Sequence, residues 1–165
     1  MSRTLQVGLV VATIVGLTRM VGVAQRTPAN PLIGVWRVAE RDTSGPNATK
    51  NTNPQPGLWI FTAQYFSENQ VTSATPRTDL PSSPTDKERA DAWAPFAAQA
   101  GTYEIQGDTI VLRRTANKNP AGMTSGNFLT HTFRKEGNDV LWLTQKANEG
   151  GPIANPLTQK IIRVE

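Results

Sequence analysis

Residues 32–40 read LIGVWRVAE, and the fold prediction starts from this segment. Apolar and β-branched residues alternate with polar ones along it, which is typical of a β-strand with one buried face. The alternation places Trp36 and Val38 on the same face. Residues 157–164, which include Ile161-Ile162-Arg163, have a similar pattern near the other end of the chain. We therefore predict that these two segments are the first and last strands of one domain.

Six further segments between them predict strands. Two pairs are joined by short turns, Gly107-Asp108 and Gly137-Asn138, whose residues tolerate the positive φ that tight hairpins need. The six segments are residues 57–63, 65–73, 102–106, 109–115, 127–135 and 139–146. Eight antiparallel strands joined mostly by short connections favour closure, because a closed ring leaves no free edge. The sequence predicts an all-β protein, an up-and-down barrel of about eight strands.

One helix is predicted between the third and fourth strands, over residues 85–99. Thr85 and Glu88 have the spacing of a capping box, in which hydroxyl and carboxylate satisfy backbone donors at a helix start. Alanine-rich sequence supports continuation to Gln99, with a kink at Pro95. Trp93 and Phe96 then share one side of the helix. This stripe predicts packing on the barrel, and a movable lid over the barrel mouth is a further hypothesis.

The pairing of Gly34 and Trp36 on the first strand with Arg163 on the last resembles the lipocalins and the wider calycin group. PGLWIFT at residues 56–62 and AGTYE at residues 100–104 are similar to bacterial lipocalin-like domain proteins. The resemblance extends from residue 32 to the C-terminus and implies a lipocalin-like barrel over residues 32–165. It also implies that Trp36 plugs one barrel end while Arg163 packs across it. The mid-chain helix and the absence of a disulfide depart from true lipocalins.

The N-terminal residues have the organisation of a secretory signal peptide. Arg3 precedes the apolar run of residues 5–17, and small residues at 22 and 24 fit cleavage after Ala24. The run is too short for the roughly 20 residues that cross a bilayer. We therefore predict a signal peptide at 1–24, a flexible leader at 25–31, no stable membrane insertion after cleavage, and a periplasmic or secreted mature protein.

Charge gives no indication of nucleic-acid binding. Cleavage after Ala24 removes Arg3 and Arg19 from the 17 basic residues and none of the 13 acidic ones, which leaves a net charge of +2. The basic residues are scattered and form no stripe that would follow a phosphate backbone. We expect no nucleic-acid partner, and the sequence predicts no particular oligomeric state.

The sequence contains no recognisable catalytic or cofactor-binding motif. The chain has no cysteine, which excludes disulfides, thiolate nucleophiles and cysteine metal sites. His131 is the only histidine, whereas catalytic zinc normally needs three protein ligands. No G-x-S-x-G segment is present. We predict no metal and no cofactor, and His131 is interpreted either as a polar group in the barrel lumen or as a hydrogen-bonded strand residue.

Aromatic and polar side chains provide candidates for ligand contact. Trp59 and Phe61 share one strand face and Leu58 and Ile60 the other, and alternation alone does not select which pair faces inward. Small-ligand pockets are mainly apolar with a few polar anchors, and Arg114 is one such possible anchor. The candidate ligand-binding residues are Trp59, Tyr65, Arg77, Tyr103, His131 and Trp142.

Three functions are compatible with these features. The leading hypothesis is an exported carrier or sensor for a small apolar or amphipathic molecule. An alternative is a barrel enzyme of isomerase or cyclase type that uses no metal. Another alternative is a structural or interaction module whose barrel is filled with side chains, as eight strands allow.

Overall fold

The structure is a computed structural model that describes residues 30–124 and 126–165. The predicted signal peptide at 1–24 lies outside the described residues, as do residues 25–29 of the predicted leader. The strands are β1 Gly34–Thr43, β2 Thr49–Asn51, β3 Gly57–Phe61, β4 Tyr65–Val71, β5 Phe96–Gln106, β6 Thr109–Asn117, β7 Phe128–Glu136, β8 Val140–Asn148, β9 Gly151–Pro152 and β10 Leu157–Arg163. The helix α1 spans Asp86–Trp93, and a 3₁₀ turn spans Pro120–Met123. Within this part of the chain, no helix has the length and apolar character needed to cross a bilayer.

Eight of the strands close into an antiparallel barrel. The ring runs β1-β3-β4-β5-β6-β7-β8-β10, and β10 closes it by pairing with both β8 and β1. The short strands β2 and β9 extend β1 and β8 beyond the ring. Trp36 and Arg163 are direct register partners across the closing pair. The prediction of an all-β barrel of eight antiparallel strands is therefore confirmed.

The helix is shorter than the sequence predicts. It lies between the third and fourth barrel strands, as predicted, and the capping box at Thr85 and Glu88 is formed. However, α1 ends at Trp93, and Phe96 to Gln99 belong to β5, where they pair with β4. Pro95 interrupts the helix, and the ladder with β4 then satisfies the backbone groups of the alanine-rich segment. Tertiary pairing has overridden helix propensity here.

One end of the barrel is closed by side chains and by the segment that precedes β1. The Arg163 guanidinium lies 4.1 Å from the centroid of the Trp36 ring, which is completely buried. The Trp36 indole N–H donates to the Leu32 carbonyl, and Arg163 donates to the Ile33 carbonyl. Asn30 reaches the Tyr103 hydroxyl from the same segment. The barrel is therefore sealed at this end, and any access to the interior is from the other.

The inward faces of the strands are now fixed. Trp59 and Phe61 are almost completely buried, whereas Leu58 and Ile60 are 43% and 38% exposed on the outer wall. Burial of a large apolar side chain contributes about 1.5–3 kcal/mol. The remaining core residues are Leu32, Trp36, Val38, Phe66, Tyr103, Ile110, Leu112, Leu129, Leu141, Leu143 and Ile161. They fill mainly the half of the barrel that contains Trp36, and the opposite half is left for polar residues.

Candidate ligand-binding cavity

The half of the barrel farther from Trp36 contains a partly open cavity of about 620 Å³. On β8, Leu141 packs in the core at the closed end, whereas Leu143 and Gln145 line the cavity. On β1, the lining residue is Arg41, five positions beyond Trp36. No residue of α1 is among the described residues that line the cavity. Trp93 of α1 lies instead beside the outer surfaces of β4, β5 and β6, where it is 55% exposed. The helix therefore does not cover the cavity.

Trp59 forms the apolar floor of the cavity together with Leu129 and Leu143. Its ring stacks on Phe61 with centroids 5.5 Å apart, and it meets the edge of the His131 ring at 6.0 Å. The floor is therefore a rigid aromatic surface, because stacked and edge-on rings restrict each other.

Hydrogen bonds between distant strands fix the polar groups above this floor. The Trp59 indole N–H donates to Gln159 Oε1 at 2.8 Å, and Gln159 Nε2 donates to Gln70 Oε1 at 3.1 Å. Gln99 Nε2 donates to Glu68 Oε2. These bonds orient one buried carboxyl and three amides around the cavity wall.

Burial perturbs the ionisable groups of the wall in opposite directions. It raises the pKa of Glu68 above its usual range, although hydrogen bonds from Gln99 and Gln159 and the charge of Arg41 act against this rise. Burial lowers the pKa of Arg41, with Glu68 opposing, and that of Arg114, with Glu149 opposing. The cavity therefore disfavours charge on each of these side chains when no further partner is present.

His131 forms part of the cavity wall, where its imidazole is neutral. It is 7% exposed, and burial lowers its pKa to about 4. Its Nδ1 atom has no hydrogen-bond partner among the described residues. No described protein group therefore uses this atom, which itself has almost no accessible surface.

Unpartnered polar atoms concentrate around this cavity. Across residues 30–124 and 126–165, five buried side-chain nitrogen or oxygen atoms have no hydrogen-bond partner. Four of them belong to cavity-lining residues: Arg41 Nε, Gln70 Nε2, Arg114 Nε and His131 Nδ1. A buried polar atom without a partner costs about 1–3 kcal/mol. Uncompensated polar burial is therefore concentrated in the wall of this cavity.

The structure brings only two of the six candidate ligand residues to the cavity, Trp59 and His131. Tyr103 is buried at the closed end, where its hydroxyl donates to the Thr62 carbonyl and accepts from Asn30. Burial raises the pKa of Tyr103. Its side chain therefore supports the core and does not reach the cavity.

The other three candidates lie on the outside. Tyr65 is 58% exposed at the start of β4. Arg77 lies in the loop before α1 and donates to the Ala92 carbonyl. Trp142 stands on the outer wall between the side chains of Arg134 and Lys160. Alternation explains Trp142, because its neighbours Leu141 and Leu143 take the inward positions.

Sequence reasoning missed Arg41, Glu68, Gln70 and Gln159. Glu68 and Gln70 share the buried face of β4 with Phe66, and Gln159 shares the buried face of β10 with Ile161. Polar residues that share a strand face with buried apolar ones are the signal that would have identified them. No group of three or more potential metal-ligating side chains (His, Cys, Asp or Glu) occurs in the described part of the chain.

Comparisons with known proteins add a description of similar folds. No protein-family model matches the sequence, and no curated protein matches it. A lipocalin-like protein from Bacteroides uniformis has 12% identity and a TM-score of 0.44, over 81% of this chain and 99% of that one. A redesigned beta barrel has 11% identity and a TM-score of 0.43, over 82% and 93%. An uncharacterized protein from Bacteroides eggerthii has 9% identity and a TM-score of 0.44, over 80% and 98%.

Proposed function

We propose that the protein binds a small amphipathic molecule in the barrel cavity and acts as an exported carrier or sensor for it. The observation that carries this proposal is the set of four unpartnered polar atoms around one cavity. Small-ligand sites typically enclose about 300–1,000 Å³, and the cavity of about 620 Å³ lies within that range. The cavity also argues against a barrel filled solid with side chains.

The chemistry of the cavity favours an amphipathic molecule over a wholly apolar one. The floor of Trp59, Leu129 and Leu143 offers apolar contact, whereas the walls carry Arg41, Glu68 and Arg114. An apolar ligand would leave the wall groups unpartnered and would forfeit their hydrogen bonds. A molecule with one apolar and one polar part satisfies both regions.

Native mass spectrometry of the purified protein tests this function. We expect the protein to retain a small molecule from its source, which extraction then identifies. The variant Gln145→Trp places a large side chain in the cavity, and Leu58→Trp places the same side chain on the outer wall as a control. Loss of the bound molecule in Gln145→Trp alone supports the proposal. Equal retention by both variants would place the molecule elsewhere and refute it.

Export to the periplasm or the medium is part of the same proposal. It rests on the signal-peptide pattern of residues 1–24. Expression of the full chain in a bacterial host should yield an extracytoplasmic protein whose N-terminal residue is Gln25. Intact protein of full mass confined to the cytoplasm would contradict export and would leave the binding proposal to its own test.

A second candidate function is acid–base catalysis in the same cavity. Glu68 is the register partner of Trp59, and the His131 ring meets the Trp59 ring edge-on. Burial shifts the pKa values of Glu68 and His131 in opposite directions. Such divergent pairs are typical of proton-transfer sites. Incubation of the wild-type protein with the co-purified molecule or its precursors would then give an isomerised product. His131→Gln should abolish this conversion while retaining affinity, and no conversion by the wild type would exclude the enzyme.

A further inference from the structure

The barrel wall contains more hydrogen-bond donors than the protein itself uses. Three side-chain acceptors of the wall are already engaged: Gln159 Oε1 by Trp59, Gln70 Oε1 by Gln159, and Glu68 Oε2 by Gln99. Three of the four unpartnered atoms are N–H donors, namely Arg41 Nε, Gln70 Nε2 and Arg114 Nε. Among the described residues, no protein acceptor pairs with these three N–H groups.

The rim of the cavity shows the same imbalance. Asn117, Asn119 and Asn148 line it, and the side-chain oxygen of each accepts a hydrogen bond from the backbone N–H two residues further along the chain. This arrangement is the Asx turn, which holds the oxygen within the local loop. Each amide oxygen thus already accepts one hydrogen bond within its own loop, and the amide N–H groups of these side chains are additional donors at the rim.

Charge in the cavity is also unbalanced. Among the described lining residues Glu68 is the only carboxylate, whereas Arg41, Arg114 and Lys118 are cationic. Lys118 donates to the carbonyls of Trp93 and Ala94, so its charge is engaged at the end of α1. Arg114 forms a salt bridge with Glu149 at 3.7 Å, whereas Arg41 forms none within residues 30–124 and 126–165. Burial raises the pKa of Glu68, which further reduces negative charge inside the barrel.

We propose that the ligand of this cavity is a small amphipathic carboxylate whose anionic group is bound by Arg41 and Arg114 and whose apolar part lies on Trp59. This inference rests on the proposed binding function and names its ligand class. A carboxylate supplies about four acceptor sites and one negative charge, and guanidinium groups bind it with strong charge-assisted hydrogen bonds. Gln70 and His131 lie on the same cavity wall.

Isothermal titration calorimetry with three ten-carbon probes tests this inference on the unaltered protein. The probes are decanoate, 1-decanol and decyltrimethylammonium, which share an apolar chain and differ in head-group charge. We expect decanoate to bind at least about tenfold more tightly than decanol, since hydrogen bonds to charged groups contribute about 1.5–3 kcal/mol, and the ammonium probe to bind least. No variant is needed for this comparison, so it does not depend on the folding of a mutant.

Variants then locate the anion site. Arg41→Gln and Arg114→Gln should each weaken decanoate binding by about tenfold and leave decanol binding unchanged. Glu149→Gln removes the partner 3.7 Å from Arg114 without removing the guanidinium, and Arg134→Gln removes an arginine of the outer wall. Neither control should weaken decanoate binding.

The outcomes separate this inference from the binding function. Equal affinity for decanoate and decanol, or undiminished decanoate binding in both cavity variants, would overturn the carboxylate assignment and leave binding in the cavity intact. If no probe binds and no molecule co-purifies, the binding function fails and this inference fails with it.

Discussion

Removal of the imidazole by His131→Gln should change how stability depends on pH. His131 is buried, and burial lowers its pKa from 6.5 to about 4. Between these values the unfolded chain binds a proton that the folded chain does not, so acidification favours unfolding. The stability is unaffected above pH 6.5 and declines as the pH falls toward 4. The full loss is about 3 kcal/mol, and about 2 kcal/mol is lost by pH 5.

Urea denaturation of both proteins at pH 7 and pH 5 measures this effect. The free energy of unfolding of the wild type should fall by about 2 kcal/mol more than that of His131→Gln between the two pH values. Glu68 is present in both proteins, so its own titration largely cancels in the comparison. Equal losses in the two proteins would refute the reasoning.

A direct titration checks the same point in the folded state. Because His131 is the only histidine of the chain, its imidazole Cε1 proton gives a single NMR resonance in protein without a histidine tag. Its midpoint should lie near pH 4. A midpoint near 6.5 would show that the imidazole is solvated, and the cavity wall would then differ from the arrangement described above.

Two further predictions concern the closed end of the barrel. Gly34 has a φ of 139°, and a Cβ there would overlap Arg163 Nη1. Gly34→Ala should therefore lower the free energy of unfolding by more than about 2 kcal/mol, whereas Gly107→Ala, in an open turn, should lower it by about 1 kcal/mol. Equal losses in thermal unfolding would contradict the crowding at Gly34. Arg163→Gln removes the guanidinium 4.1 Å from the Trp36 ring and should cost about 1–2 kcal/mol, whereas Arg134→Gln on the outer wall should cost about 0.5 kcal/mol or less in urea denaturation. A larger loss in the outer-wall variant would show that the contact does not stabilise the closure.

Strand positions and the closing pair were predictable because they depend on local pattern. Alternation over residues 32–40 and 157–164 identifies two strands, and closure follows from the number of strands and the short turns between them. The register of Trp36 with Arg163 agrees with that expectation. The helix start at Thr85 was also predictable, since a capping box is formed by residues three positions apart.

The inward face of β3 and the end of α1 depended on tertiary structure. Period-two alternation is identical whether Trp59 or Leu58 points inward, and only the neighbouring strands distinguish the two. The segment Phe96 to Gln99 has helical propensity in isolation, and its pairing with β4 draws it into the sheet.

The pattern of the sequence was thus enough to predict an eight-stranded ring with Trp36 at one end. Only the tertiary structure decided which polar groups remain without partners. Trp59 donates to Gln159 across 100 positions of sequence, and Gln159 donates to Gln70 across 89. No local pattern records such bonds, because they exist only once closure has brought the strands together. The donor-rich cavity is therefore a property of the folded barrel.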